Sequence, residues 1–466
     1  MKKITTIAAA LLSIAALAQN NGGISQEMLT EIQKGYAGTA SEKAIRNALN
    51  STAINTLALN ADNMAMLPTD FTYCVKTKGI TDQKSSGRCW LFTGLNVLRA
   101  AAIQKYDLGE FQFSQSYCFF WDQLEKANLF LQGIIDTREK PIDDREVDWL
   151  FAHPLSDGGT FTGVANLVTK YGLVPADEMP ESLIANSTSQ MTAQIKTVLR
   201  QDGIKLRKMA ADAKNPNLKR KKAAAAADAL QEALLAEKTA MLSEIYRILV
   251  LSFGVPPTEF EWKGKTVTPV QFYKDLLDYD LENNYVMLMN DPSREYGKVY
   301  EIQYDRHLYD GQNWKYVNLP IGRIKDMAVA SIKDNVAMYF SCDVGKQLNR
   351  QKGTCDLRNY DYESILGVQF TMDKKERIQT HASGSSHAMT LIGVNIKDGL
   401  PDRWMVENSW GNTGYNGKII MTDEWFDEYM FRLVVERKYV PADVLQMLEQ
   451  PAEMLPAWDP MFLEEE

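Results

Sequence analysis

The stretch "DQKSSGRCWLFTGLNVLRA", residues 82–100, constrains the fold of this chain more than any other. Leu91, Leu95, Leu98 and Ala102 recur at a spacing that keeps them on one helical face. Ser85, Ser86 and Gly87 stand just before them, and these residue types favour turns and helix starts over helix interiors. The segment predicts a loop that becomes a buried helix with Cys89 in its first turn. A cysteine there sees the positive end of the helix dipole, which favours the thiolate by about 0.3–1 kcal/mol, under one pKa unit at ~1.4 kcal/mol each. The dipole alone leaves most of such a thiol protonated at neutral pH. A nucleophile at this place therefore needs a basic partner, most naturally an imidazole.

The chain has four histidines: His153, His307, His381 and His387. His387 opens the strand-like run "HAMTLIGVNI", which a turn-rich "KDGLPD" joins to a second such run, "RWMVENSW". An antiparallel hairpin centred on Asp398 sets His387 opposite Asn408 or Ser409, within a residue or two of register. An asparagine facing that ring accepts a bond from its Nδ1–H and fixes its orientation. Gln83, six residues before Cys89, adds a neutral amide N–H. With the backbone N–H of Cys89 it forms a pair of donors for the oxyanion of a tetrahedral intermediate, each worth about 3 kcal/mol in the barrier. The expected roles are Cys89 nucleophile, His387 base then acid, Asn408 orienter and Gln83 oxyanion donor. His153, His307 and His381 are read as structural.

Cys74, Cys118, Cys342 and Cys355 are read as core or paired residues, with a Cys342–Cys355 bridge left open. No Cys-x-x-Cys or His-Glu-x-x-His spacing occurs, so neither a zinc site nor any other cofactor is expected. "DGGTFTG" lacks the Gly-Lys-Ser/Thr of a phosphate loop; Gly158 and Gly159 suit a backbone that a peptide substrate approaches closely.

At the N-terminus, Lys2 and Lys3 precede an apolar run from Ile7 to Ala18 that ends in Ala16-Leu17-Ala18. This reads as a secretory signal peptide cleaved before Gln19, since the run is shorter than the ~20 residues that span a bilayer. An exported protein, periplasmic or secreted and without a membrane anchor, is expected. Losing residues 1–18 removes two lysines and no acid, moving the net charge from −9 to −11. So acidic a chain is a poor nucleic-acid binder, and the basic run Lys219–Lys222 reads as a solvated helix end.

The expected organisation is a signal peptide (1–18), an N-terminal arm (19–70) and a helical lobe with the nucleophile (71–180). A helical insertion (181–250), a strand-rich lobe with His387 and Asn408 (251–440) and a tail (441–466) follow. The class is α+β, with helices weighted to the first half.

"QKSSGRCW", "SHAMTLIGV" and "ENSWG" resemble papain-like cysteine peptidases, and within them the bleomycin hydrolase and aminopeptidase C group. So do "LSDGGTF", "FSQSYCFFW", "SIKDNVAMYFSCDVGK", "MTDEWFDEY" and "LPAWDPM", and the likeness spans most of residues 60–461. Large helical insertions in this group account for the 298 residues from Cys89 to His387, about twice the ~130–150 usual in papain relatives. The resemblance implies a two-lobed papain-like fold, peptide substrates, a homo-hexameric ring and a C-terminal tail in the active-site cleft. That tail would limit cleavage to the N-terminal end of peptides, with Glu466 at the substrate. This chain differs from the group in its export signal and its acidic "FLEEE" ending. A tail that leaves the cleft open would give an endopeptidase or oligopeptidase, and a ring without activity would only bind peptides. The intact set Cys89, His387, Asn408 and Gln83 argues against that last reading.

Overall fold

The computed structural model describes residues 22–213, 220–277 and 279–462. Residues 1–18 and Glu464–Glu466, which carry the export and tail expectations, lie outside that range, as do the side chains of the Lys219–Lys222 run. The chain divides into a small unit, Met1–Leu59 with Tyr360–Gln369, and a large one, Asn60–Asn359 with Phe370–Glu466.

Among the described residues the small unit holds the helices Gln26–Lys34, Ala40–Leu49, Ile54–Leu57 and Tyr362–Leu366. Ser25 caps the first helix, and Thr39 forms a reciprocal capping box with Glu42 at the second. The first helix buries none of its residues, and Ile24, Met28 and Ile32 remain 68%, 51% and 56% exposed.

In the large unit, Cys89–Tyr106, Gln115–Asp136 and Phe161–Tyr171 form a helical layer, joined by the long helices Ser189–Asp212 and Arg220–Phe253. The sequence predicts a one-sided apolar stripe on the Cys89 helix, but every residue from Cys89 to Ala100 is buried. A helix apolar all round belongs inside. Its polar residues are paired there: Arg99 with Glu407, and the Asn96 amide on Thr81 Oγ1 at 3.0 Å.

Among the described residues the second half supplies eleven strands, and Tyr73–Cys74 the twelfth, of a twelve-stranded sheet. At its centre Met338–Cys342 pairs with His387–Lys397, which pairs with Leu400–Glu407, all antiparallel. The predicted hairpin is present, with Asp398 and Gly399 as a two-residue turn, both at positive φ (52° and 84°). Asp-Gly is the residue pair such a turn favours. The centre falls between these two residues, and the observed pairs, from Thr390 with Glu407 to Gly393 with Met405, lie one to three positions from the expected register. His387 therefore pairs in the sheet with Cys342, beyond the last hairpin rung.

Candidate active site

The Cys89 helix lies against the strand that begins at His387, and the ends of the two elements coincide. The backbone N–H of Ala388 donates to Cys89 Sγ at 3.4 Å, so the thiol sits beside the first residue of that strand. Cys89 is fully buried and His387 is 2% exposed. The helix start carries no side-chain cap, since Arg88 at the N-cap turns away.

His387 Nε2 lies 2.8 Å from Asn408 Oδ1. The sequence reading pairs this amide with Nδ1, and the structure corrects the nitrogen. The tautomer follows from the next bond: Asn408 Oδ1 also accepts the backbone N–H of Ser409 at 2.8 Å. Turning the amide over would set its NH2 against that donor, so the oxygen faces the ring and Nε2 must carry the proton. Nδ1 is thereby left as the ring's basic nitrogen. Burial pushes the imidazole pKa down to about 4; the Asn408 bond opposes this, and the charge of Arg350 adds to it. The Trp410 ring lies 4.7 Å from that of His387, with the Arg350 guanidinium 4.5 Å from the indole.

Gln83 joins the same constellation from the loop. Its backbone N–H donates to Ser409 O at 2.8 Å, and its Oε1 accepts from Ser409 Oγ at 2.6 Å. One amide hydrogen goes to Ser86 O at 2.7 Å. The second hydrogen of Nε2 is the one left to serve an oxyanion.

The structure thus brings Cys89, His387, Asn408 and Gln83 together from segments far apart in the chain. Trp410 belongs to the site and was missed, although it sits inside "ENSWG"; Ser409, named there only as an alternative to Asn408 opposite His387, bonds Gln83 instead. Arg350 carries no sequence signal. Gly158 O accepts from the buried Lys126 ammonium. A Cβ on Gly159 would stand 2.2 Å from His307 and 2.8 Å from Trp90, so its missing side chain makes room for those rings. Glu466 lies outside the described residues.

The other histidines lie apart from this cluster. His153 is exposed and stacks on Trp149, and His381 is exposed at a positive φ of 58°. His307 is buried with its Nδ1 2.5 Å from Asp122 Oδ1. No cysteine is in a disulfide, so the open Cys342–Cys355 bridge is absent. Burial pushes the Cys118 thiol up to about 12, with Asp122's charge adding, and raises Cys355 as well. Among the described residues no helix is long and apolar enough to cross a membrane, and no acidic, His and Cys cluster could hold a metal.

Comparison with known proteins identifies the family. The family described as "Peptidase C1-like family" matches residues 23–462. Bleomycin hydrolase of Homo sapiens is 38% identical over 414 residues, 84% of this chain and 88% of that one. Aminopeptidase C of Lactobacillus delbrueckii subsp. lactis is 32% identical over 432 residues, 89% and 92% of the two chains. The crystal structure of PepW from Lactobacillus rhamnosis HN001 superposes with a TM-score of 0.86 at 32% identity, covering 96% of this chain and all of that one. The chain belongs to the peptidase C1-like family, has its papain-like fold, and is a cysteine-type peptidase of the bleomycin hydrolase and aminopeptidase C group.

Proposed function

We propose that this chain is an exported cysteine aminopeptidase that releases N-terminal residues from peptides through a thioester intermediate. The observation that carries the mechanism is the His387 Nε2–Asn408 Oδ1 bond, which leaves Nδ1 as the base beside Cys89. Nδ1 takes the thiol proton as Cys89 Sγ attacks the scissile carbonyl. The tetrahedral oxyanion is held by the Gln83 amide and the Cys89 backbone N–H. His387 then gives its proton to the departing amine as the C–N bond breaks, leaving the acyl group on sulfur. Water, deprotonated by the same nitrogen, cleaves the thioester and restores the thiol.

The aminopeptidase reading draws on the tail. Residues Glu453–Leu455 add a strand beside Val299–Ile302. From its last residue on, Leu455, Ala457, Asp459 and Met461 are buried in alternation. Arg294 pairs with Asp459, Arg432 donates to Met461 O at 2.7 Å, and the Arg145 guanidinium lies 4.2 Å from the Trp458 ring. Trp458 and Pro460 are only partly buried, and the buried alternate positions hold the tail. Phe462 and Ser156 line one cavity of about 170 Å³, and Ser156 stands two residues before Gly158. A carboxylate there would meet the free ammonium of a peptide. Unlike charges at ~4 Å gain ~1 kcal/mol in water and ~4 kcal/mol at an effective dielectric near 20.

The test compares one fluorogenic peptide with its N-acetylated form. The reading predicts rapid cleavage of the free peptide alone, with acetylated peptide becoming a substrate once residues 463–466 are deleted. Efficient cleavage of the acetylated peptide by the intact enzyme would establish the endopeptidase alternative. Export predicts a mature N-terminus near Gln19, and N-terminal sequencing that returned Met1 would refute it. The uncovered stripe Ile24, Met28 and Ile32 supports self-association, and light scattering checks for the homo-hexamer.

A further inference from the structure

The residue before the proposed nucleophile is a fully buried arginine. Arg88 Nη1 and Nη2 hold Glu181 in a two-pronged pair at 3.1 and 2.6 Å, and Nη2 also reaches Ala185 O at 2.6 Å. The Phe92 and Phe119 rings lie 5.3 and 5.4 Å from the guanidinium carbon. Its third nitrogen, Nε, donates to Ser86 Oγ at 2.9 Å. Burying such a charge is costly and seldom repaid by one carboxylate.

The bond to Ser86 gives the arginine a second task. Ser86 Oγ spends its only proton on Gln83 O at 2.6 Å, and Ser86 O takes one of the Gln83 amide hydrogens at 2.7 Å. Ser409 Oγ occupies the amide oxygen. With three points fixed, the planar amide can aim its remaining N–H in only one direction. Two of those points belong to Ser86, whose hydroxyl is set by Arg88. The 181–186 segment braces the loop again through Ser85 N to Asn186 O at 3.0 Å.

We propose that Arg88 is a positioning residue for the oxyanion donor: locked by Glu181, it fixes Ser86 and so aims the Gln83 amide. This rests on the oxyanion role of Gln83 given above. Lysine cannot replace it, because a point charge lacks the rigid fork that spans Glu181 and Ser86 at once.

The experiment measures kcat, KM and the rate of Cys89 alkylation by iodoacetamide. The variants are Ser86→Ala, Arg88→Lys and Gln83→Ala, with the first two also placed in the Gln83→Ala background. Gln83→Ala should lower kcat by ~10²–10³. Ser86→Ala and Arg88→Lys should each lower it up to about a hundredfold, the effect of an ångström of misplacement. KM and the alkylation rate, which needs no oxyanion, should hold. Without Gln83, neither second substitution should cost anything further. Ser86→Ala, a near-isosteric change, carries the test even where Arg88→Lys fails to fold. Fully additive losses overturn the proposal, as does an alkylation rate that falls with kcat in Ser86→Ala. A Gln83→Ala enzyme with undiminished kcat would instead remove the oxyanion reading itself.

Discussion

His387 and His307 are each 2% exposed, each packed on a tryptophan and each bonded to a side-chain oxygen. They differ in the charge of that oxygen. His307 faces the Asp122 carboxylate, which also pairs with Lys126 at 3.3 Å. Burial works against that carboxylate, yet Lys126 and His307 hold it below its usual range. Such a cluster satisfies its charges internally, and Trp90, Gly159 and Gly163 close around it. His387 faces a neutral amide, whose bond favours the imidazolium less than burial disfavours it. A neutral partner orients a base while leaving it able to gain and lose a proton; a carboxylate in a sealed pocket makes a brace.

The largest effect that would break this comparison is on turnover. His387→Gln should lower kcat by several orders of magnitude, since the proton acceptor itself is gone. Asn408→Ala should leave residual activity, down about a hundredfold, because it misaims the ring without removing it. His307→Gln should lower kcat by no more than about tenfold. Similar losses at His307 and His387 in folded enzyme would show that the two sites are not distinct in kind.

On stability the order reverses. His307→Gln disturbs a hydrogen-bond partner of the buried Asp122 carboxylate and should cost roughly 1–3 kcal/mol in urea unfolding. His387→Gln removes a ring that the folded state holds neutral, and its effect should depend on pH. The folded pKa, about 4, lies below the unfolded value near 6.5, so the folded state binds fewer protons between them. The stabilisation is complete above pH ~6.5 and is lost as pH falls toward ~4, on the order of 3 kcal/mol in all. Urea titrations across that window should show a shallower pH slope for His387→Gln than for the parent. Equal slopes would mean that the ring is not held neutral.

The parts legible in the sequence were those set by local pattern. The apolar spacing after Cys89 gave the helix, and two strand-like runs around "KDG" gave the hairpin that carries His387 toward Asn408. The register was off because an Asp-Gly turn centres between two residues, not on one. The choice of ring nitrogen was beyond reach: proximity of a ring and an amide does not say which edges meet, and the Ser409 N–H decides it. Arg350 and Glu181 reach the site from loops with no periodic tie to it. The all-round burial of the Cys89 helix was hidden by Asn96 and Arg99, polar residues whose partners Thr81 and Glu407 lie on other segments.

The most direct measurement of the central claim is the pH dependence of Cys89 alkylation in the parent enzyme and in His387→Ala. The account predicts that iodoacetamide labels Cys89 first among the five thiols. It predicts further that the alanine variant loses about a hundredfold or more of that rate near pH 6 and approaches the parent rate near pH 9.5, where an ordinary thiol ionises unaided. Identical profiles for the two proteins would contradict it, because Cys89 would then owe nothing to His387.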